Sequence, residues 1–482
     1  MKNLKNFKIN LDSPISKALS VINKNMSGAC FVVDKKNILK GILTDGDIRR
    51  ALLRKKTLST KVSKVIKKNF FYLNYKSGST ILKKPLNKKF KIVPLVNEAK
   101  ELKGYIFNNN QISLAKPNLN GNELKYITDC INTGWISSIG KYVNLFEKKF
   151  SNFSKIKHCL PVSNGTTALQ LALKTLNIKK GDEVIVPNLT FASPVNAVIH
   201  SGAKPVFVDV KPTTYCIDEN QIKKKITKKT KAIIVVHLYG HPANMKKIKS
   251  ILKGRKIFII EDCAEAIGSY IGKKHVGLFG DIATFSFFGN KMITTGEGGM
   301  MGFKKKQHKI KAEILRDHGM SKKVKYWHED IGFNFRITNL QSSIGCAQLE
   351  RIQWFIKNKL NLAKNYKSKL SKFKFLTLPS LYGNVQNSYW LYTIRLNDNF
   401  LKFKNLLIKS MQENGIEARP IFYPMNMMKP YQKYISKKEK FPISEKLFNS
   451  SISLPSAYDV KLKEINIISN FLNKFQNSIT NN

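Results

Sequence analysis

Lys256-Ile-Phe-Ile-Ile-Glu-Asp262-Cys-Ala-Glu265-Ala266 is an apolar run of strand length that stops at three carboxylates. A run apolar on both faces is a strand covered from both sides. The same texture recurs along the chain in Glu183-Val-Ile-Val186, Pro205-Val-Phe-Val-Asp209, Ala232-Ile-Ile-Val-Val236 and Asp281-Ile-Ala-Thr-Phe-Ser-Phe287, with helical stretches between. Short buried strands alternating with helices predict an α/β fold, a mostly parallel sheet between helices. Ligands of such sheets gather at the carboxyl ends of the strands. The carboxylates of Glu261, Asp262 and Glu265 are therefore candidates for chemistry, although a helix cap is the plainer role for any one of them.

Three other segments fall at the same end of that sheet. Ser163-Asn-Gly165-Thr166-Thr-Ala-Leu-Gln-Leu-Ala-Leu-Lys opens an amphipathic helix with a Gly-Thr turn; free first-turn amides and the helix dipole suit a phosphate there. Phe285-Ser286-Phe-Phe-Gly-Asn-Lys291 leaves a buried strand and runs into Thr294-Thr-Gly296-Glu-Gly298-Gly299, where glycines let backbone approach a ligand. A lysine buried at that point has its pKa lowered and offers the neutral amine that an imine link requires. Tyr326-Trp-His328-Glu-Asp-Ile-Gly-Phe-Asn334-Phe-Arg336 is aromatic-rich, with polar groups suited to a ligand or a subunit contact. A phosphate cradle, a carboxylate for a ring nitrogen and a lysine, in that order, describe a pyridoxal 5'-phosphate site.

On these motifs, together with His237-Leu-Tyr-Gly-His-Pro242 and Phe287-Phe-Gly-Asn-Lys-Met-Ile-Thr-Thr-Gly-Glu-Gly-Gly-Met300, the chain resembles the DegT/DnrJ/EryC1/StrS sugar aminotransferases of fold type I, from Gly121 to its end. The resemblance implies that Lys291 links to the cofactor and moves protons. Asp262 would pair with the pyridine nitrogen; Ser286, Gly165 and Thr166 would bind the phosphate; Phe191 would stack on the ring. Glu265, where relatives vary between His, Gln and Glu, would lie near the ring hydroxyl. Asn334 would reach the phosphate of a neighbouring subunit, so a homodimer with shared active sites is expected. Trp135, His328 and Arg419 would contact substrate; Ala418 stands where the family usually has Thr. The implied reaction moves an amino group from L-glutamate to C4 of a nucleotide-linked 4-keto-6-deoxy sugar, with GDP-4-keto-6-deoxymannose favoured over UDP- or dTDP-linked sugars, for a surface polysaccharide. Relatives that dehydrate instead carry histidine in place of the lysine, and Lys291 argues against that chemistry.

Before this region stand two weakly similar units. Ala29-Cys-Phe-Val-Val-Asp34 and Ile38-Leu-Lys-Gly-Ile-Leu43 form a predicted hairpin that ends in Thr44-Asp-Gly-Asp47 at a helix start; Lys91-Ile-Val-Pro-Leu-Val96 and Leu102-Lys-Gly-Tyr-Ile-Phe107 repeat the hairpin. The pair resembles a cystathionine-β-synthase (CBS) domain pair over residues 1–110. That resemblance implies Thr44 and Asp47 as holders of a regulatory adenine nucleotide. In the second unit Phe107 and Asn110 stand in their place, so at most one such site is expected; a purely structural module is the alternative. A polar linker from residue 108 to 120 follows. Residues 111–348 are expected to form the cofactor-binding large domain, and residues 349–482, helical with sparse strands, a small C-terminal α+β domain.

Composition bounds the rest. Lysine and arginine number 84 against 31 acidic residues, a formal charge of +53. Nine arginines against 75 lysines spread along the whole chain argue for a solvated lysine-rich surface, not a nucleic-acid site, which favours the arginine fork. The field of that surface still steers anionic substrates inward. No apolar run approaches membrane-spanning length. Six cysteines without metal spacing read as reduced thiols in a cytoplasm, and no metal is expected. A reading from another class, a nucleotide-sensing regulator that keeps the fold without the chemistry, is suggested by the CBS pair.

Overall fold

The computed structural model describes residues 4–25, 27–66, 69–75, 92–107 and 111–480. Asn110, compared above with Asp47, lies outside them, as do Lys91 and Asn108. The chain divides into two compact units, Met1–Gln111 with Glu413–Gly415, and Ile112–Gln412 with Ile416–Asn482.

In the first unit, strand Lys8–Asn10 runs parallel to Ala29–Val33, which pairs antiparallel with Leu39–Thr44. The second repeat keeps this order: Leu73–Asn74 runs parallel to Ile92–Val96, and Ile92–Val96 pairs antiparallel with Leu102–Phe107. Both hairpins therefore form, each within a residue of its expected limits. Ala29–Val33 is buried along its whole length, with Cys30 and Val32 in one apolar cluster and Phe31 and Val33 in another. Alternate residues of a strand face opposite sides, so this central strand joins two cores.

The second unit is built on a seven-stranded sheet. Its order is His158–Val162, Gly299–Phe303, Ile282–Ser286, Phe258–Asp262, Thr230–Val236, Glu183–Pro187 and Lys204–Val208. Neighbouring strands run parallel except at Gly299–Phe303, which is antiparallel to both of its neighbours. Thr230–Val236 shows why the expected runs were continuous: Ala232, Ile234 and Val236 enter one core, Ile233 and Val235 the other. Five strands lie where apolar runs predicted them, one shifted by two residues to Phe258–Asp262. The outer pair was not anticipated. His158–Val162 carries Pro161, and Gly299–Phe303 has two glycines, which weaken any strand pattern. Gly299 is required by packing, since a Cβ there would stand 2.6 Å from the Asn164 carbonyl carbon.

Beyond residue 349, helices Ile352–Leu370 and Leu462–Thr480 cover a four-stranded sheet ordered Leu376–Thr377, Tyr392–Leu396, Ser451–Leu454, Arg419–Pro420. Its core includes Tyr366, Leu370, Ile394, Leu407, Ile452 and Leu472. Among the described residues, no helix is long and apolar enough to cross a membrane. All six cysteines are free and buried.

Candidate active site

A cavity of about 450 Å³ opens where Val236, Asp262 and Ser286 end three neighbouring strands of the second unit. Helix Gly165–Thr175 begins at its wall. Asn164 caps that helix, its Oδ1 accepting the Thr167 amide at 2.9 Å while the Thr167 hydroxyl accepts the Asn164 amide at 3.2 Å. The first-turn amides of Gly165 and Thr166 have no helical acceptor and belong to the cavity wall. Only glycine fits at 165, because a Cβ would sit 2.9 Å from that of Ser286. The two phosphate-binding candidates on separate elements are thus packed together. The Thr166 and Ser193 hydroxyls share a hydrogen bond of 2.7 Å.

Adjacent carboxylates on strand Phe258–Asp262 point to opposite fates. Burial works to raise the pKa of Glu261, but His237 and the amides of Gly277 and Gly280 overcome it, and the group is held below its usual range. His237 Nδ1 accepts the Ala243 amide at 3.0 Å, which puts the ring proton on Nε2, 3.0 Å from Glu261 Oε2. Cys263 completes a cluster of ligand-type atoms with these two; the hydrogen bonds already made account for the His-Glu pair as a structural lock. Asp262 faces the cavity instead. Burial raises its pKa, opposed by the Ala264 amide and the charge of Lys291. Its Oδ1 accepts that amide at 3.0 Å. A buried carboxylate so incompletely compensated is suited to a cationic ring nitrogen.

Lys291 Nζ lies 3.6 Å from Glu265 Oε1 and 3.9 Å from the centroid of the Trp390 ring. Burial pushes Glu265 up to about 7, opposed by the charge of Lys291 and by the amide of Tyr239, which donates to Oε2 at 2.9 Å. Tyr239 takes a left-handed backbone (φ 53°) that a tyrosine seldom adopts. It is held there at both ends, since its hydroxyl accepts the Phe422 amide at 3.1 Å. Phe191, more than half exposed, forms part of the wall beside Phe422.

These groups fit pyridoxal phosphate: amides and a hydroxyl for the phosphate, an aromatic face, a carboxylate for the ring nitrogen and an amine. The buried Thr190 Oγ1 and Asn290 Oδ1, both on lining residues, have no protein partner and remain for a polar ligand.

One chain therefore brings together Lys291, Asp262, Glu265, Ser286, Gly165, Thr166 and Phe191. The other six candidates stand elsewhere, four of them in the second unit and two in the first. Asn334 Oδ1 accepts from Arg336, which is ion-paired to Asp317 at 2.9 Å. His328 Nδ1 bonds the His318 carbonyl at 2.9 Å, Trp135 is exposed, and Arg419 pairs with Glu417 at 2.5 Å. In the first unit, Thr44 and Asp47 form a capping box at helix Asp45–Leu53. Asp47 accepts the amide and hydroxyl of Thr44 at 3.2 and 2.7 Å and pairs with Arg50 at 2.7 Å. A cavity of about 550 Å³ in this unit is lined by Asp45, Gly28 and helix residues around Leu19, and not by Thr44 or Asp47.

Sequence reasoning missed Trp390, Phe422 and the role of Tyr239. Tyr239 lies inside the His237–Pro242 motif. Trp390, which meets Asn290 across 100 residues of chain, had no local pattern; being one of four tryptophans was its only signal.

Comparison with known proteins identifies the family and the fold. Residues 117–473 match the DegT/DnrJ/EryC1/StrS aminotransferase family, and residues 3–54 match the CBS domain. The chain is 42% identical over 366 residues to a GDP-perosamine synthase of Vibrio cholerae, covering 75% of this chain and 99% of that protein. It is likewise 42% identical to one of Escherichia coli O157:H7, over 76% of this chain and 98% of that one. Among solved structures, Helicobacter pylori PseC, an aminotransferase involved in pseudoaminic acid biosynthesis, superposes with a TM-score of 0.71 at 27% identity, over 76% of this chain and 98% of its own.

Proposed function

Because the chain belongs to the DegT/DnrJ/EryC1/StrS aminotransferase family and is a pyridoxal-phosphate-dependent sugar aminotransferase, we propose that it moves an amino group from L-glutamate to C4 of a nucleotide-linked 4-keto-6-deoxy sugar. The favoured acceptor is GDP-4-keto-6-deoxymannose, supported by similarity to two GDP-perosamine synthases along nearly their whole length. The observation that carries the site assignment is Lys291, set in one cavity with Asp262, Glu265 and the Gly165 turn.

When bound, pyridoxal phosphate supplies the aldehyde on which amino groups are exchanged and a protonated ring that draws electron density from the reacting carbon. The chain supplies the rest. Gly165, Thr166 and Ser286 bind the phosphate, and Phe191 packs on the ring. Asp262 keeps a proton on the ring nitrogen. Lys291 Nζ takes a proton from the α-carbon of glutamate and later delivers one to C4 of the sugar. Glu265, held by the Tyr239 amide, keeps a proton beside Lys291.

Trp135, His328 and Arg419 bind the sugar nucleotide, and Asn334 completes the site of a second copy in a homodimer. Residues 111–348 form the cofactor-binding part and 349–482 the small C-terminal part of a cytoplasmic enzyme for surface polysaccharide. Residues 1–110 are a CBS pair in which Thr44 and Asp47 take an adenine nucleotide. That module is tested by adding AMP or ATP to the turnover assay; no effect from either leaves it structural.

The deciding experiment is the visible absorbance of the holoenzyme before and after L-glutamate, followed by a keto-sugar nucleotide. Loss of the long-wavelength cofactor band with glutamate and its return with GDP-4-keto-6-deoxymannose is the expected result. Return with only a UDP or dTDP sugar overturns the GDP assignment, and no response to glutamate overturns the donor.

A further inference from the structure

Lys359 lies on helix Ile352–Leu370 at a position of its apolar stripe, in line with Phe355, Ile356, Leu362, Ala363 and Tyr366. Only 4% of it is exposed, and among the described lysines only Lys404 is comparably buried. No described carboxylate pairs with it, and burial lowers its pKa to about 7. A lysine placed in an apolar stripe without a counter-ion costs stability unless its donors are used.

They are used on the active site. Lys359 Nζ donates to the carbonyls of Trp390 at 2.9 Å and Ser456 at 2.5 Å, and lies 5.1 Å from the centroid of the Tyr458 ring. The two aromatic residues in turn grip the backbone on either side of Lys291. Trp390 Nε1 donates to the Asn290 carbonyl at 2.7 Å, and the Tyr458 hydroxyl donates to the Met292 carbonyl. Trp390 also lays its ring on the Lys291 amine. A neutral amine has two hydrogens and an ammonium three, so both carbonyl bonds survive in either protonation state.

We propose that Lys359 is a positioning residue of the active site, fixing Trp390 and Tyr458 so that their donors hold the carbonyls flanking Lys291 and aim its amine into the cavity. This rests on Lys291 being the cofactor lysine. Reacting groups misplaced by about 1 Å lose rate steeply while ground-state binding is kept, which separates positioning from bulk stability.

The test uses full-length Lys359→Met and Lys359→Arg. Methionine keeps volume without donors; arginine restores them. Lys359→Met is expected to lower kcat about 10-fold with KM for both substrates within about 2-fold, and Lys359→Arg to recover most of the loss. Site-resolved acetylation of the cofactor-free protein, read by mass spectrometry, should show Lys291 altered about 3-fold or more in Lys359→Met while exposed lysines are unchanged. A parent-like kcat, or an unchanged Lys291 acetylation rate, overturns the proposal. If Lys359→Met does not fold, Tyr458→Phe decides, since it removes only the donor to Met292. Altered Lys291 acetylation with reduced kcat supports the proposal, and parent values overturn it. Cofactor should shield Lys291 from acetylation in the parent. Absence of shielding overturns the Lys291 assignment and this proposal with it, whereas shielding with unaltered variants overturns this proposal alone.

Discussion

The floor of the cavity and the aromatic segments at residues 135–139 and 324–331 are built on opposite terms. On the floor the charged groups and the backbone beside them are held by their own chain: Asp262 by the Ala264 amide, Glu265 by the Tyr239 amide, and the carbonyls flanking Lys291 by Trp390 and Tyr458. In the aromatic segments, Trp135, Ile139, Tyr326, Trp327 and Ile331 stand in solvent, Ile331 at 85% exposure. Exposed apolar side chains in such number mark a surface meant to be covered. On the proposed function, these uncovered segments are the unfinished part of the site, to be closed by substrate and by a second copy whose Asn334 reaches the cofactor phosphate.

The largest effect is expected on the floor. Lys291→Ala should reduce 2-oxoglutarate formation from glutamate about 10³-fold or more, because among the described residues no other lysine lines the cavity to replace the base. Equilibrium dialysis should still find cofactor bound. Near-parental turnover would break the assignment of the floor.

Asp262→Asn follows, with a loss of about 10²-fold in the glutamate half-reaction by stopped-flow absorbance, since the amide no longer stabilises a charged ring nitrogen.

The unfinished region is tested by mixing. If Asn334 serves the partner's site, Lys291→Ala and Asn334→Ala, each impaired alone, should regain about a quarter of parental turnover when refolded together, since half the dimers are mixed and each has one intact site of two. No recovery would place Asn334 in its own chain's site. Ile331→Asp should shift the mass by light scattering toward monomer and reduce turnover in parallel.

A smaller effect concerns pH. Glu265 has its folded pKa raised to about 7 from an ordinary 4.5, so the folded apoenzyme holds an extra proton between these values. Its contribution to stability is complete below about 4.5 and is lost as pH rises through about 7, at most about 3 kcal/mol. Melting of the apoenzyme should weaken over that window, and Glu265→Gln should flatten the dependence.

The smallest belongs to the first unit: Thr44→Ala removes the cap of helix Asp45–Leu53 and should cost about 1 kcal/mol, read by amide exchange in that helix, with the glutamate half-reaction unchanged.

Much of this was legible in the residues. Strands buried on both faces announce themselves as unbroken apolar runs, and five of the seven in the large sheet were found so. Where the strand residues are Gly299, Gly302 and Pro161, propensity points away from a strand, and pairing with neighbours decides. The local motifs around Gly165, Asp262 and Lys291 were readable because each sits at the end of a recognisable element. Glu261 and Asp262 read alike as letters; alternation along the strand sends one to the His237 lock and the other to the cavity.

By itself, the sequence determined the α/β architecture, the repeated hairpins of the first unit and the family to which the catalytic motifs belong, because those depend on local patterns of burial and turn chemistry. Only the tertiary structure decided that Trp390 and Tyr458 hold the carbonyls on either side of Lys291 and that Lys359 in turn holds the Trp390 carbonyl. Their contacts cross from about 30 to more than 160 residues of chain, and hydrogen bonds between side chains and distant carbonyls leave no period in the sequence to be read.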